Sequence, residues 1–307
     1  MRVVVTGSAG FIGSRLTELL VRAGHTVLGI DNLLLGQPAP SVTSEQLFLQ
    51  ADICDASQMC AVFEDFRPDK TVHLAAIHHI PTCERNAPEA MRVNVVGTQV
   101  VLDAATAAEC RSVVFASSGA VYDWRNEPLV PCVSPTRPSD TYSASKLANE
   151  IQIDVWWRRQ NGVATIARIF NTIGPNDRNA HLIPDILAQF DGDTRGTVVK
   201  LGNVTPRRDY IYVGDTAAAL LRMLEAELET GMHTFNVGTG SEHSVLDILA
   251  AVAAALGRSY EVIIDPARVR AVDRLHQCAD ITATREALRW TPAVPLAEGV
   301  RLTVSEA

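Results

Sequence analysis

The chain has 307 residues, of which 47% are hydrophobic, and a formal charge of −8 at neutral pH. That hydrophobicity excludes an intrinsically disordered chain, the length excludes a small disulfide scaffold, and the acidic balance argues against a nucleic-acid partner. No run of 18 apolar residues appears, so no membrane-spanning helix is expected. The apolar start Met1-Arg2-Val3-Val4-Val5 stops at Thr6-Gly7, too short for the core of a signal peptide. The six cysteines are scattered with no C-x-x-C pair, which points away from a bound metal and toward reduced thiols in a cytoplasmic protein.

A strand over residues 2–6 precedes a helix over 12–23, where Ile12, Leu16, Leu19 and Leu20 share one face. A second strand, 26–30, ends at Asp31, and residues 36–44 read as a loop from their prolines and small residues. A helix over 59–66, a strand over 71–74, a helix over 89–109 and a strand over 112–116 follow. Residues 124–140 are rich in proline and polar groups, and read equally as a substrate loop or a plain surface connection. A helix over 141–160 and a strand over 164–170 complete the first half. The second half is less regular. A helix is predicted over 183–189, strands over 197–201 and 210–213, and a helix over 216–229 with Asp215 as its N-cap. A strand over 235–237 and a helix over 244–256, ended by Gly257, come last. The βαβα order with β-rich apolar runs predicts an α/β fold with a parallel sheet covered on both faces.

Thr6-Gly7-Ser8-Ala9-Gly10-Phe11-Ile12-Gly13 joins the first strand to the first helix. Gly7 suits a positive φ in the tight turn, Gly10 lets a pyrophosphate approach the backbone, and Gly13 lets helix and sheet pack closely. The free N–H groups of the helix N-terminus then face the phosphates. The spacing is G-x-x-G-x-x-G, which departs from the usual dinucleotide fingerprint. Asp31 ends the second strand where an acid bonds the adenosine ribose hydroxyls. An acid there repels a 2′-phosphate, so NAD is expected over NADP.

Tyr142-Ser143-Ala144-Ser145-Lys146 places a phenol and an amine at i and i+4, on one helical face. A free phenol has a pKa of about 10. A neighbouring ammonium is expected to lower it, so that the pair can move a proton to or from a substrate hydroxyl. Ser118, at the end of a strand, is placed to bond the same hydroxyl.

With these motifs the chain resembles the extended short-chain dehydrogenase/reductases, in particular NAD-dependent nucleotide-sugar epimerases and dehydratases of the UDP-galactose and UDP-glucuronate 4-epimerase kind. The resemblance is carried by Thr6–Gly13, Asp31-Asn32-Leu33, Asp52-Ile53, His73-Leu74-Ala75-Ala76, Asn94-Val95-Val96-Gly97-Thr98, Ser117–Tyr122 and Tyr142–Lys146. It continues through Arg168-Ile169-Phe170-Asn171, Arg208-Asp209-Tyr210 and Asn236-Val237-Gly238. It implies a Rossmann-type doubly wound sheet with a smaller C-terminal lobe. Residues 1–172 with 208–238 would bind NAD, and 173–207 with 239–307 would hold the nucleotide sugar.

The resemblance also implies roles. Gly7, Gly10, Phe11, Ile12 and Gly13 would line the pyrophosphate, Asp31 and Asn32 the adenosine ribose, and Asp52 and Ile53 the adenine. Leu74, Ala75 and Ala76 would run along the nicotinamide half, with Asn94, Tyr142, Lys146 and Phe170 completing the cofactor site. Ser118 and Tyr142 would meet the sugar. Asn171 and the pair Arg208 and Arg270 would hold the diphosphate, Leu182 would border the nucleotide, and Asp273 would lie near its ribose. Ser118, Tyr142 and Lys146 would be the catalytic set. A homodimer is implied, through the helices predicted over 89–109 and 141–160.

Departures from the family pattern shape the expected chemistry. Dehydratases of the family carry an Asp-Glu pair just after the catalytic Ser or Thr, and here those positions are Gly119 and Ala120. His78 and His79 replace smaller residues and can either contact the sugar or pack. The expected reaction is C4 epimerisation of a UDP-hexose or UDP-hexuronic acid through a 4-keto sugar. A decarboxylase or 4,6-dehydratase on the same fold is the alternative. A non-catalytic dinucleotide sensor is the reading from another class.

Overall fold

The computed structural model describes residues 1–34, 38–123, 127–177, 182–190, 197–269 and 274–305. In chain order the first half forms β1 (Arg2–Thr6), α1 (Phe11–Arg22), β2 (Thr26–Asp31), β3 (Gln46–Gln50), α2 (Ala56–Phe66) and β4 (Lys70–His73). It continues with α3 (Ile80–Arg85), α4 (Ala87–Met91), α5 (Gly97–Ala107), β5 (Ser112–Ser118), α6 (Thr141–Gln160) and β6 (Val163–Ile169). Then come β7 (Asn171–Ile173), α7 (Leu182–Phe190), β8 (Thr197–Leu201), β9 (Arg207–Tyr212), α8 (Val213–Glu225) and β10 (Gly231–Val237). The last elements are β11 (Glu242–Ser244), α9 (Val245–Leu256), β12 (Tyr260–Ile264), α10 (Thr282–Leu288) and α11 (Leu296–Ser305).

The main sheet runs β3-β2-β1-β4-β5-β6-β10, with every neighbouring pair parallel. This is the Rossmann-type doubly wound arrangement. Alternation along β1 shows how the sequence builds both faces. Val3 and Val5 pack with Leu16 and Leu20 of α1 and with Leu220 and Met223 of α8. Val4 points the other way, to Phe63 of α2, Val101 of α5 and Ile153 of α6. Strand order reverses between β1 and β4, where Thr6 and His73 are register partners. Ligands bind such sheets at this switch point, beyond the carboxyl ends of the strands.

A separate core lies in the C-terminal half. Ile183, Ile186 and Phe190 of α7 pack there with Val199, Leu201, Tyr210, Leu249 and Val252. The strands β11-β9-β7 form a three-stranded sheet and β12-β8 a two-stranded one. Among the described residues no helix is long and apolar enough to cross a membrane.

Several expected elements differ. The helix predicted over 89–109 is broken into α4, a π-helical turn over Arg92–Val96, and α5. The wider turn carries Asn94, whose side chain leaves the helix to bond the backbone of Ile77; such bulges concentrate at functional sites. Asp215 does not cap α8. The helix starts at Val213, and the Asp215 carboxylate instead accepts from Val294 N at 2.8 Å. β3, β7, β11 and β12 were not expected, being short or at sheet edges where burial leaves little alternation to read.

Candidate active site

The loop expected to bind phosphate is built by packing constraints on glycine. Gly7 has φ +71°, and a Cβ there would meet Ala75 N at 2.8 Å. A Cβ on Gly13 would lie 2.0 Å from Gly7 O, so α1 can sit this close to the loop only with glycine. Gly10 is the N-cap of α1 and supplies no side-chain cap. The amides of the first turn are therefore not taken by a capping side chain. Phe11 and Ile12 begin the helix. Asp31, at the end of β2, reaches back to this loop: Oδ2 accepts from Ala9 N at 3.1 Å and Oδ1 from Leu33 N at 2.8 Å. Each oxygen keeps a lone pair for a further donor. Asn32 Oδ1 accepts from Leu34 N. Asp52 Oδ1 accepts from Cys54 N, and Ile53 is buried against the position of Gly97.

Leu74, Ala75 and Ala76 leave the end of β4 beside this loop. Leu74 N donates to Thr6 O at 3.1 Å and Ala75 N to Thr6 Oγ1 at 3.3 Å. A buried relay fixes this turn. Thr6 Oγ1 lies 2.6 Å from His73 Nδ1, His73 Nε2 lies 2.9 Å from Thr98 Oγ1, and Thr98 Oγ1 donates to Asn94 O at 2.6 Å. Because the Thr98 proton goes to Asn94, the bonds assign Nε2–H as the donor of His73 and Nδ1 as the acceptor from Thr6. Burial, with the charge of Lys146, pushes the His73 imidazole down to about 3. Asn94 accepts from Ile77 N and donates to Ile77 O and to Ser145 Oγ at 2.9 Å, so both its amide protons are used in holding the 76–78 turn against α6. The sequence reading singled out Asn94 but not His73, Thr98 or Ser145 as members of one network.

Ser118 ends β5 and caps the 3₁₀ turn Gly119–Val121, with Ala120 N donating to its Oγ at 3.1 Å. Asp140 caps α6 through Ser143 in a capping box, which sets Tyr142 in the first turn. The Ser118 hydroxyl stands close enough to Tyr142 to draw its phenol downward. Lys146 Nζ is buried, donates to Ala116 O at 2.8 Å, and lies 5.8 Å from the Tyr142 ring centroid.

The expected electrostatics of this pair need correction. Burial raises the Tyr142 phenol to about 12, against the pull of Ser118. Burial also lowers the Lys146 ammonium to about 7, with Cys83 and Glu150 opposing. Lys146 is directed at a backbone carbonyl, so in the protein alone desolvation outweighs its help to a phenolate.

Phe170 packs against Gly119, where a Cβ would meet its ring at 3.1 Å and Gln277 Nε2 at 3.2 Å. Beneath, Glu150 pairs with Arg168 at 2.7 Å and accepts from Ser117 Oγ, while the Arg168 guanidinium lies 4.6 Å from the Tyr122 ring centroid.

Of the residues expected to meet the substrate, Asn171 Nδ2 donates to Asp209 O at 3.2 Å, and Leu182 opens α7 against the C-terminal core. Arg208 Nη1 donates to Arg207 O at 2.9 Å and to Arg274 O at 2.5 Å. Asp209, fully buried, accepts from Thr239 N, Gly240 N and Ala279 N, which fixes β9 under Arg208. Arg270 and Asp273 lie outside the described residues, as do residues 124–126 of the expected substrate loop. His79 stands at the N-terminus of α3 without capping it, and its Nδ1 lies 2.9 Å from Thr82 Oγ1. Arg274 escaped the sequence reading; its Nη2 donates to Ala120 O at 2.8 Å.

The glycine cradle and the acid at the end of β2 fit a dinucleotide, and comparison with known proteins agrees. Residues 3–238 match the model of the NAD dependent epimerase/dehydratase family. The chain is 34% identical to the UDP-glucose 4-epimerase of Mycolicibacterium smegmatis, over 99% of this chain and 97% of that protein. It is 29% identical to the dTDP-D-glucose 4,6-dehydratase of Mus musculus, over 99% of this chain and 87% of that one. The structure of Thermus thermophilus UDP-glucose 4-epimerase in complex with NAD superposes with a TM-score of 0.88 at 31% identity, covering 100% of this chain and 98% of the other. The chain belongs to the NAD-dependent epimerase/dehydratase family, and NAD is its cofactor.

Proposed function

We propose that the protein inverts C4 of a UDP-hexose or UDP-hexuronic acid through a transient 4-keto sugar. The observation that carries this reading is the convergence of Ser118, Tyr142 and Lys146 at the end of β5, with no acid at the two positions that follow. A Cβ on Gly119 would press on Phe170 at 3.1 Å and Gln277 Nε2 at 3.2 Å, and neither Gly119 nor Ala120 can transfer a proton. A 4-keto sugar held here meets no second acid–base pair from this turn to expel water, which favours its return to the alcohol.

In this reading the Tyr142 oxygen takes the proton of the 4-hydroxyl and later returns it, and Ser118 orients that hydroxyl. NAD, when bound, supplies the hydride chemistry at C4. The burial that raises the Tyr142 phenol also strengthens the pull of any positive charge placed beside it, since a less polar surrounding screens less. Gly7, Gly10, Phe11, Ile12 and Gly13 are assigned to the pyrophosphate, and Asp31 with Asn32 to the adenosine ribose. Asp52 and Ile53 take the adenine. Leu74, Ala75, Ala76, Asn94 and Phe170 are placed along the nicotinamide half. Asn171, Leu182, Arg208, Arg270 and Asp273 are assigned to the nucleotide diphosphate, as forked guanidinium donors suit phosphate oxygens.

Residues 1–172 with 208–238 form the NAD-binding part in this reading, and 173–207 with 239–307 the substrate lobe. The protein is cytoplasmic and pairs as a homodimer through α5 and α6, where Ile151 and Val155 are exposed apolar side chains. The relative from Mycolicibacterium smegmatis, a UDP-glucose 4-epimerase by name, supports the choice of reaction and base.

The test is incubation with UDP-, GDP-, CDP- and dTDP-sugars, with products read by NMR and mass. Inverted C4 at unchanged mass is the expected result. Loss of water or of carbon dioxide would replace epimerisation with dehydration or decarboxylation and leave the fold and cofactor standing.

A further inference from the structure

We propose that Arg274 is a positioning residue that couples the diphosphate arginine Arg208 to the Ser118–Tyr142 pair; the inference rests on the diphosphate role proposed for Arg208. Two guanidinium groups are connected in series. Arg208 Nη1 donates to the backbone carbonyl of Arg274 at 2.5 Å. The side chain of Arg274 then reaches away from that carbonyl. Its Nη2 donates to Ala120 O at 2.8 Å and to Ser139 Oγ at 3.1 Å.

Ala120 stands one hydrogen bond from Ser118, and Ser139 is tied through Ser143 to the turn that holds Tyr142. Ala120 carries Arg274 on its carbonyl and Ser118 Oγ on its amide. Ser139 takes Arg274 on its hydroxyl, and its amide donates to Ser143 Oγ at 3.1 Å. Ser143 completes the capping box of α6, in whose first turn Tyr142 sits. A single nitrogen of Arg274 therefore touches the turn that follows Ser118 and the segment that precedes Tyr142.

The physical consequence follows from the chemistry of the donors. A diphosphate brought to Arg208 draws on the same guanidinium that bonds Arg274 O, and a guanidinium bond to an anion is stronger than one to a neutral carbonyl. Any rearrangement of Arg208 is passed to residue 274. The planar Arg274 group, with its donors fixed relative to one another, passes it to Ala120 and Ser139 together, which a lysine ammonium does less well. Binding energy from the non-reacting diphosphate is thereby spent on aligning the two hydroxyls, a use of remote binding energy that shows in kcat.

The test is hydrogen exchange on the NAD-loaded protein with and without UDP, and with dTDP in case the base differs. Calorimetry establishes that the nucleotide binds. In the wild type, bound nucleotide is expected to slow exchange of residues 118–122 and 139–146 by about tenfold. Arg274→Met keeps the aliphatic stem, should bind the nucleotide within about threefold of wild type, and should lose that protection. Turnover of the nucleotide sugar should fall by about tenfold to a hundredfold in kcat, the scale of a small misalignment, with KM nearly unchanged. Arg274→Lys should recover only part of it. In an Arg208→Ala background Arg274→Met should be nearly silent, a coupling that a merely structural role does not produce. Nucleotide-induced protection that survives Arg274→Met, or additive effects of the two substitutions, overturns the coupling. Binding without protection in the wild type does so as well. Failure of both nucleotides to bind sinks the reading of Arg208 itself.

Discussion

The two sides of the site are made by different means. The side proposed for the cofactor is made of backbone: glycines with no space for a Cβ, amides at the start of α1, and turns pinned by Thr6 and Asn94. The side proposed for the substrate is made of long side chains that cross between distant segments, such as Arg208 to Arg274 and Arg274 to Ala120. Backbone sites tolerate almost no change at their own positions but depend little on the rest of the chain. Side-chain sites tolerate change locally and depend on how remote segments pack. The first design suits a ligand that every member of a family shares; the second suits ligands that differ among members.

Between the two sides stands Tyr142, and its removal has the largest expected effect. Tyr142→Phe should lower kcat on the nucleotide sugar by about 10²–10⁴, the usual contribution of a general acid–base group. NAD affinity should be nearly unchanged, because the contacts assigned to the pyrophosphate and adenosine lie on the glycine loop and Asp31. Stopped-flow turnover with NAD binding measured on the same preparation separates the two. Near wild-type turnover would remove Tyr142 from the mechanism.

Asp31→Ala probes a charged side chain on the backbone-built side. Removing the carboxylate proposed to bond the ribose hydroxyls should weaken NAD by about tenfold to a hundredfold, the range for hydrogen bonds to a charged group. NADP should be weakened less, since the same change relieves repulsion of the 2′-phosphate. Equal affinity of the wild type for the two cofactors, by fluorescence titration, would contradict the ribose assignment. Part of any loss comes through the loop, because Asp31 also accepts from Ala9 N.

Gly13→Ala tests the backbone itself. The added methyl would stand 2.0 Å from Gly7 O, a contact that cannot be met without moving α1 off the loop. Overpacking of this kind costs about 1–3 kcal/mol. A lowered melting temperature and weaker NAD binding should appear together. Stability kept at the wild-type value would show that the loop yields more easily than the packing indicates.

The same contrast explains what could be read from the sequence. Thr6 through Gly13, Asp31, and Tyr142 with Lys146 are local patterns, each within a strand, a loop or one helical turn of its partners, so spacing together with the strand–loop–helix context pointed to them. The doubly wound sheet was legible for a similar reason: Val3-Val4-Val5 and its counterparts are runs that only a two-sided core requires. Arg274 was not legible, because its partners Ala120 and Ser139 are brought to it by the tertiary fold and leave no period in the sequence. The π-helical turn around Asn94 was hidden by an apolar pattern that reads as one unbroken helix. The sign of the Tyr142 shift was missed because spacing shows that Lys146 is near but not where its Nζ points.

The smallest expected effect concerns His73, the neutral link between β1 and the turn around Asn94. An unfolded histidine titrates near 6.5, whereas burial and Lys146 hold the folded imidazole at about 3. Between those values the unfolded chain binds a proton that the folded protein refuses. Stability therefore rises with pH across this window. The contribution is complete above pH 6.5 and is lost as pH falls toward 3, by at most ~1.4 kcal/mol for each pH unit. His73→Asn should lower stability at pH 7 by about 1–3 kcal/mol, as it leaves Thr98 without its donor. It should also remove the acid-side slope, so the gap between variant and wild type narrows as pH falls from 7 to 5. Urea denaturation at the two pH values measures this directly. A gap that stays constant would mean that His73 takes up its proton over the same pH range folded as unfolded, and that the Thr6–His73–Thr98 relay is not the neutral, directed chain its hydrogen bonds describe.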